Sequence, residues 1–317
     1  MTAPEEEDLF VRAQPEGFAG LLAGAVDVHV HGRPDLAVAF ANRGDDLAVI
    51  RLAQRYGITG WVLKSHLWPT TDRAHLLQRL VGEGFTVHGS VTLNPVLGGV
   101  SPTVVELAAA HGARVIFLPT WGAAADVDRG GYIATLLTRL APSFPGFAEQ
   151  RAVRLLDGAG TLTGEVREAV DACAELGLSL ATGHAGLDES TAVAEYAAST
   201  GFDRLLVTHP LHYVDDPAEL RRFTDACVLV ELSAAPLMHP EAHMHVRDVA
   251  RAVEVLGADH LVLTSDVFSR WVPPEPECLR IVAEQLHHLG VTAPDLHRML
   301  VENPRRFLGP GPTEEPS

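Results

Sequence analysis

Residues 23–35, "AGAVDVHVHGRPD", decide how the rest of the chain is read. Val26, Val28 and Val30 mark a buried strand. Alternation sends Asp27, His29 and His31 to the face opposite the valines. Two imidazoles on one face then lie roughly 6–7 Å apart at their Cα atoms, from a rise of about 3.3 Å per residue. Both can reach one metal ion. A half-exposed strand with two incidental histidines fits the same letters, so the remaining sequence has to discriminate.

The 317 residues suit one large domain or two ordinary ones, and 47% hydrophobic content supports a substantial core. A net charge of −17 argues against nucleic acid and against anionic membranes as partners. Cys173, Cys227 and Cys278 are widely spaced and form no CxxC pair, which indicates neither a disulfide framework nor a cysteine zinc site. The acidic start "MTAPEEEDLF" lacks a basic and an apolar leader region, and no apolar run approaches the ~20 residues of a membrane span. A cytoplasmic protein with a small-molecule substrate is expected. Whether it forms a homo-oligomer is left open.

Eight apolar runs read as strands: 26–31, 60–66, 85–94, 113–120, 178–184, 204–209, 227–233 and 260–266. Amphipathic segments between them, such as 45–57, 101–112, 164–177 and 246–257, read as helices, several ending in Gly. "SPTVVE" (101–106) opens with a cap-like Ser and a Pro at the first helical position. Eight β/α units without a GxGxxG loop after the first strand favour a (β/α)8 TIM barrel over a doubly wound sheet. The connection between strands 4 and 5 is too long for one helix. It predicts an insertion, with a hairpin in "VRLLDGAGTLTGEV" (153–166), that serves as a lid. Residues 1–22 are assigned to a lead-in, 23–308 to the barrel, and 309–317 to a disordered tail.

The strand ends carry the chemistry. They bear His29 and His31, Lys64 and His66, Asn94, Thr120 and Trp121, His184, His209, Glu231 and Ser233, and Asp266. In a barrel these ends converge on the one face that holds active sites. Incidental core histidines have no reason to finish strand after strand, so His29 and His31 are read as the start of a metal site.

HxH after strand 1, single histidines after strands 5 and 6 and Asp after strand 8 resemble the amidohydrolase superfamily. "LKSHLWPT", "LNPVLGGVSP", "ATGHAG", "VTHP" and "ENPRRFLG" further resemble a poorly characterised branch of it, a domain of unknown function, over roughly residues 22–309. The resemblance implies a distorted (β/α)8 barrel, one or two divalent metals and an activated water that attacks an amide, cyclic amide, ester or related bond. It implies His29, His31, His184 and Asp266 as first ligands. His209 is then a ligand of a second ion or an imidazole that polarises the substrate carbonyl, and Asp266 is the proton shuttle. Zinc suits these donors, and manganese or iron remain open.

The sequence departs from the common two-metal pattern, because strand 4 ends "FLPTW" without the usual lysine or glutamate. Lys64, the only lysine in the chain, is either a relocated carbamylated bridge or an ammonium that orients a substrate carboxylate or carbonyl. Candidate substrate-binding residues are His66, Trp68, Asn94, Trp121, Glu231, Arg270 and Trp271. Arg33 is a further candidate for a substrate carboxylate, and Asp27 either fixes a ligand imidazole or is a buried carboxylate paired lower in the barrel. His88 reads as a core histidine, and the loop "LMHPEAHMH" (237–245) as solvated or substrate-facing. Two alternatives stand beside hydrolysis. One is a mononuclear decarboxylase or other lyase, which the missing strand-4 ligand suits. The other is a non-catalytic metal- or ligand-binding protein on the same barrel.

Overall fold

The computed structural model of the chain describes residues 20–38, 44–240 and 242–310, so most of the lead-in and the tail lie outside the described residues. Eight parallel strands follow one another round a single sheet: β1 (Val26–His31), β2 (Gly60–Lys64), β3 (Thr86–Thr92), β4 (Ala113–Phe117), β5 (Ser179–Ala181), β6 (Leu205–Val207), β7 (Leu229–Ser233) and β8 (Leu261–Thr264). The seam between β8 and β1 is closed by Asp266 N donating to His29 O at 3.1 Å. Asp27 reinforces it by accepting from the backbone N–H groups of His29 and Ser265, each at 3.2 Å. This is a (β/α)8 barrel. No described helix is long and apolar enough to cross a membrane.

The valines of β1 do not all share one face. Val26 and Val28 pack inside the barrel with Val62, Phe117, Leu206 and Val262. Val30 packs in the outer layer between strands and helices, with Leu63, Leu232 and Leu263. A register shift against β2 between Asp27 and Val30 breaks the alternation. His29 and His31 therefore face inward although Val28 does too, and Asp27 is spent on the seam rather than on an imidazole.

The strands are shorter than the apolar runs that announce them. His66, His184, His209 and Asp266 lie just past strand ends, where turns take over the backbone hydrogen bonds. The four expected helices are present as α1 (Asp46–Arg55), α3 (Pro102–Ala110), α7 (Gly164–Glu175) and α10 (Val246–Leu256), and α2 (Thr71–Val81), α8 (Leu187–Thr200), α9 (Arg221–Thr224), α11 (Glu275–His288) and α12 (Ala293–His297) are among the others. Asp45 caps α1 by accepting from Ala48 N at 2.7 Å. Ser101 makes no such bond, so Pro102 alone marks the start of α3.

The insertion after β4 contains α4 (Ala124–Asp128), α5 (Tyr132–Leu140) and α6 (Phe144–Arg151). It is anchored on Trp121, Ile133, Leu137, Phe144 and Leu36, a cluster separate from the barrel layers. The expected hairpin shrinks to one antiparallel bridge, Leu156 to Leu162, round a turn that Asp157 closes by accepting from Ala159 N and Thr161 N. At the opposite end of the barrel, α13 (Asn303–Leu308) pushes Phe307 and Leu308 into the interior. Asn303 holds it there by donating to the carbonyls of Ala258 and Leu261 at 2.9 and 2.7 Å.

His88 in β3 is outside the site described below, as expected. Burial, aided by Arg114, lowers its pKa from 6.5 to about 4. The folded protein then binds fewer protons than the unfolded chain between those values, so stability falls as pH drops through that window. Urea denaturation should show His88→Gln losing less stability than wild type between pH 7 and pH 5, by about 1–2 kcal/mol. Parallel losses in the two proteins would contradict a neutral, half-buried His88.

Candidate metal centre and its cavity

Two imidazoles and one carboxylate meet where β1 and β8 end. His29 Nδ1 lies 2.7 Å from Glu231 Oε1, which also accepts from Thr264 Oγ1 at 2.6 Å. His31 Nδ1 lies 2.9 Å from Asp35 Oδ2. With both Nδ1 atoms engaged, the two Nε2 atoms lie 3.1 and 3.2 Å from Asp266 Oδ1. The three ligand atoms are within 4.8 Å of one another. His29 Nε2 is buried and lacks hydrogen-bond geometry to any partner. A divalent cation satisfies that orphaned nitrogen, and the two-nitrogen, one-oxygen donor set suits one. A carboxylate behind each imidazole is what a metal-binding histidine requires to fix its tautomer. These residues fit the ion that the sequence implies.

The electrostatics agree. Burial opposes ionisation of Asp266, but His29, His31 and His209 outweigh it and hold the carboxyl well below the usual range. Burial pushes His29 down, with Lys64 adding to the effect. His209 is driven well below its usual value by burial and by His212 and His184. For His31, burial and Lys64 act downward, yet Asp35 and Asp266 prevail and the net shift is upward. Burial lowers His66 to about 3 even though Asp35 opposes it. Asp35 is thus shared unequally. It touches the Nδ1 atoms of both His31 and His66 and accepts from His66 N and Ser65 Oγ at 2.9 and 2.8 Å.

The loop that carries Asp35 is itself clamped. Arg33 N donates to Asp46 Oδ1 at 2.7 Å, and the Arg33 guanidinium pairs with buried Glu275 at 2.7 Å. Arg73 donates to Pro34 O at 3.1 Å.

Across the barrel mouth, His184 Nδ1 lies 3.1 Å from Asp126 Oδ1, so the insertion supplies the carboxylate there. Gly183 has φ +61, and a Cβ on it would sit 2.3 Å from Leu118 O, which leaves glycine as the only residue that fits. His209 and Asp266 are non-glycine residues at φ 29 and 51, strained backbones that concentrate at functional sites. The His209 ring is 6.1 Å from His29 and 5.1 Å from His184. His209 and His184 stand beside the His29–His31–Asp266 trio rather than within its 4.8 Å cluster. All five lie at one end of the barrel.

A cavity of about 370 Å³ opens above them. Its floor is polar: Lys64, His66, Asp126, His184, His209 and Asp266. Its walls are apolar: Tyr132, Ile133, Pro236, Met244, Phe268 and Val272. The insertion contributes Tyr132 and Ile133, so it roofs the site. The 237–245 loop faces the cavity through His239, His243 and Met244.

Several expected substrate contacts lie elsewhere. Asn94 donates to His66 O and Thr120 Oγ1 and accepts from Thr120 N and Gly122 N, so its amide ties three loops together beneath the cavity. Trp121 is buried against Phe144, with its indole N–H on His66 O at 2.7 Å. Trp68 and Trp271 are outside the cavity and each 57% exposed, and Arg270 lies over the Trp271 ring. Glu231 serves His29, not the cavity, and Arg33 is consumed by Glu275. His66 alone of that set lines the cavity. Asp35, Asp126, Tyr132, His212, Tyr213 and Phe268 were not anticipated. Asp35 is four residues past His31, and His212 and Tyr213 closely follow His209. Asp126 and Tyr132 come from the insertion, whose path no local pattern reveals.

Asp35→Asn should weaken zinc binding about 10–100-fold in a competitive chelator titration, since a carboxylate behind a ligand imidazole has that leverage. Unchanged affinity would mean that His31 is not a ligand. Gly183→Ala should lower thermal stability and displace His184. An unaltered melting temperature would contradict the close approach to Leu118 O.

The model of a family of unknown function, DUF6282, matches residues 24–231. No curated protein matches the chain. Among solved structures, an amidohydrolase from Pseudomonas aeruginosa aligns with a TM-score of 0.61 at 14% identity, covering 92% of this chain and 98% of that one. The probable dipeptidase PvdM from Pseudomonas aeruginosa aligns at 0.60 and 14%, covering 93% and 96%. A mutant organophosphorus hydrolase from Deinococcus radiodurans aligns at 0.59 and 18%, covering 92% and 94%. These neighbours are members of the amidohydrolase superfamily, and at such identities what they share with this chain is the barrel. The chain itself belongs to the DUF6282 family, whose function is unknown.

Proposed function

We propose that this protein is a metal-dependent hydrolase that cleaves an ester, lactone or amide bond of a small molecule. The observation that carries the reading is the convergence of His29 Nε2, His31 Nε2 and Asp266 Oδ1, with Asp266 lining a cavity beside His184 and His209. The structural neighbours support it only coarsely, through the hydrolytic activities in their names.

His29, His31 and Asp266 would hold one divalent ion, which supplies Lewis-acid polarisation and lowers the pKa of water toward ~7. Asp266 stays ionised among three imidazoles, so it can accept the proton of the attacking water and pass it to the leaving group. His209, kept neutral by burial, can donate a hydrogen bond to the substrate carbonyl oxygen. The insertion and the 237–245 loop exclude bulk water. The lack of a ligand at the end of β4, where Thr120 is taken up by Asn94, supports a single ion. The same feature suits a decarboxylase, which is the second reading.

The test is a panel of aryl esters, lactones, N-acyl amino acids and free carboxylic acids, assayed after chelation and after reloading. Hydrolysis of one class should vanish on chelation and return with zinc or manganese. Asp266→Asn should lower kcat by about 10²–10⁴, the span of proton-transfer catalysis. CO2 release without hydrolysis would replace this reading by the lyase. Turnover indifferent to chelation would contradict both.

A further inference from the structure

We infer that the ligand of this cavity is a small carboxylate with an apolar body, and that its carboxylate pairs with Lys64. The inference deepens the site proposed above and rests on that cavity being the binding site, but not on the reaction performed there. Lys64 is the only lysine among 24 basic residues. Its side chain is 1% exposed and lines the cavity floor, with Nζ 5.3 Å from the centre of the Phe117 ring. Among the described residues no carboxylate stands within ion-pair distance of it. Burial lowers the pKa of its amine, and Asp266, Asp35, Glu231 and Asp126 oppose that only through longer-range fields.

The other charges of the cavity are committed. Asp126 engages His184 and Arg129, at 3.1 and 3.5 Å. The Arg129 guanidinium lies 4.0 Å over the Tyr213 ring. Asp266 lies between His29 and His31. A buried ammonium without a counter-charge is unfavourable, and buried charges in folded proteins are paired. Here the missing partner comes with the ligand.

The geometry also sets the ligand's shape. Lys64 is the strand partner of His31, so its backbone is one strand spacing, about 4.8 Å, from the ion-binding face. A carboxylate on Lys64 therefore lies close to the reacting centre, and the rest of the molecule extends toward Tyr132, Ile133, Met244, Phe268 and Val272. A volume of about 370 Å³ lies near the small end of ligand pockets and suits an acid the size of an aryl-substituted propionate.

Calorimetric titration with 3-phenylpropionate and with its neutral amide tests this on metal-loaded and on chelator-treated protein. The carboxylate should bind about tenfold or more tightly than the amide in both preparations, a difference of about 1.4 kcal/mol. Lys64→Met should abolish that preference while amide binding and metal content persist, and Lys64→Gln repeats the test if the first variant does not fold. A preference that survives both substitutions, one that needs the metal, or no carboxylate binding at all would overturn the inference. A protein that turns over no ester or amide yet keeps the Lys64-dependent preference would sink the hydrolase reading alone.

Discussion

The hydrogen bond from Asp266 N to His29 O is where closing the barrel and building the site become one event. It is the contact by which the last strand meets the first. It also sets the Asp266 carboxylate over the two imidazoles of β1 at 3.1 and 3.2 Å. The register shift in β1 makes this work, because it turns His29 inward beside Val28 and leaves Asp27 to take the backbone N–H groups of the seam. Burial raises the Asp27 carboxyl to about 7 against the pull of its Ser265 and His29 hydrogen bonds. A polar group that costly to bury is retained where it holds the barrel shut beside His29 and Asp266.

Around that contact, three histidines each have a carboxylate behind them, drawn from three different elements. Glu231 of β7 backs His29, Asp35 of the first loop backs His31, and Asp126 of the insertion backs His184. The imidazole orientations therefore depend on the barrel wall, on the clamped Arg33–Asp35 loop and on the roof together. The insertion has two tasks, since the segment that lines the cavity with Tyr132 and Ile133 also steadies His184 through Asp126.

Much of this architecture was legible in the sequence because it depends on strand periodicity and on which residues finish strands. His29, His31, His184, His209 and Asp266 are all found at the expected end of the barrel, and Lys64 lines the cavity. What was not legible depends on three-dimensional path. Alternation in "VDVHVH" set the valines opposite the histidines and could not choose between the two roles of Asp27, because a bulge leaves no mark in the letters. Trp68, Trp121 and Trp271 follow strands in sequence, but the indoles pack away from the cavity or into solvent, and Tyr132 and Phe268 wall it instead. Asn94 lies just past β3 and Glu231 within β7, and their polar atoms serve neighbouring loops and His29 rather than the cavity.

The central claim is that His29, His31 and Asp266 hold a divalent ion. Elemental analysis of protein prepared without chelators, beside a His29→Ala/His31→Ala double variant whose fold is checked by circular dichroism, tests it most directly. The account predicts close to one zinc, manganese or iron ion per wild-type chain and almost none in the folded variant. A folded wild-type protein that takes up no ion, or a double variant that retains the full complement, would contradict it.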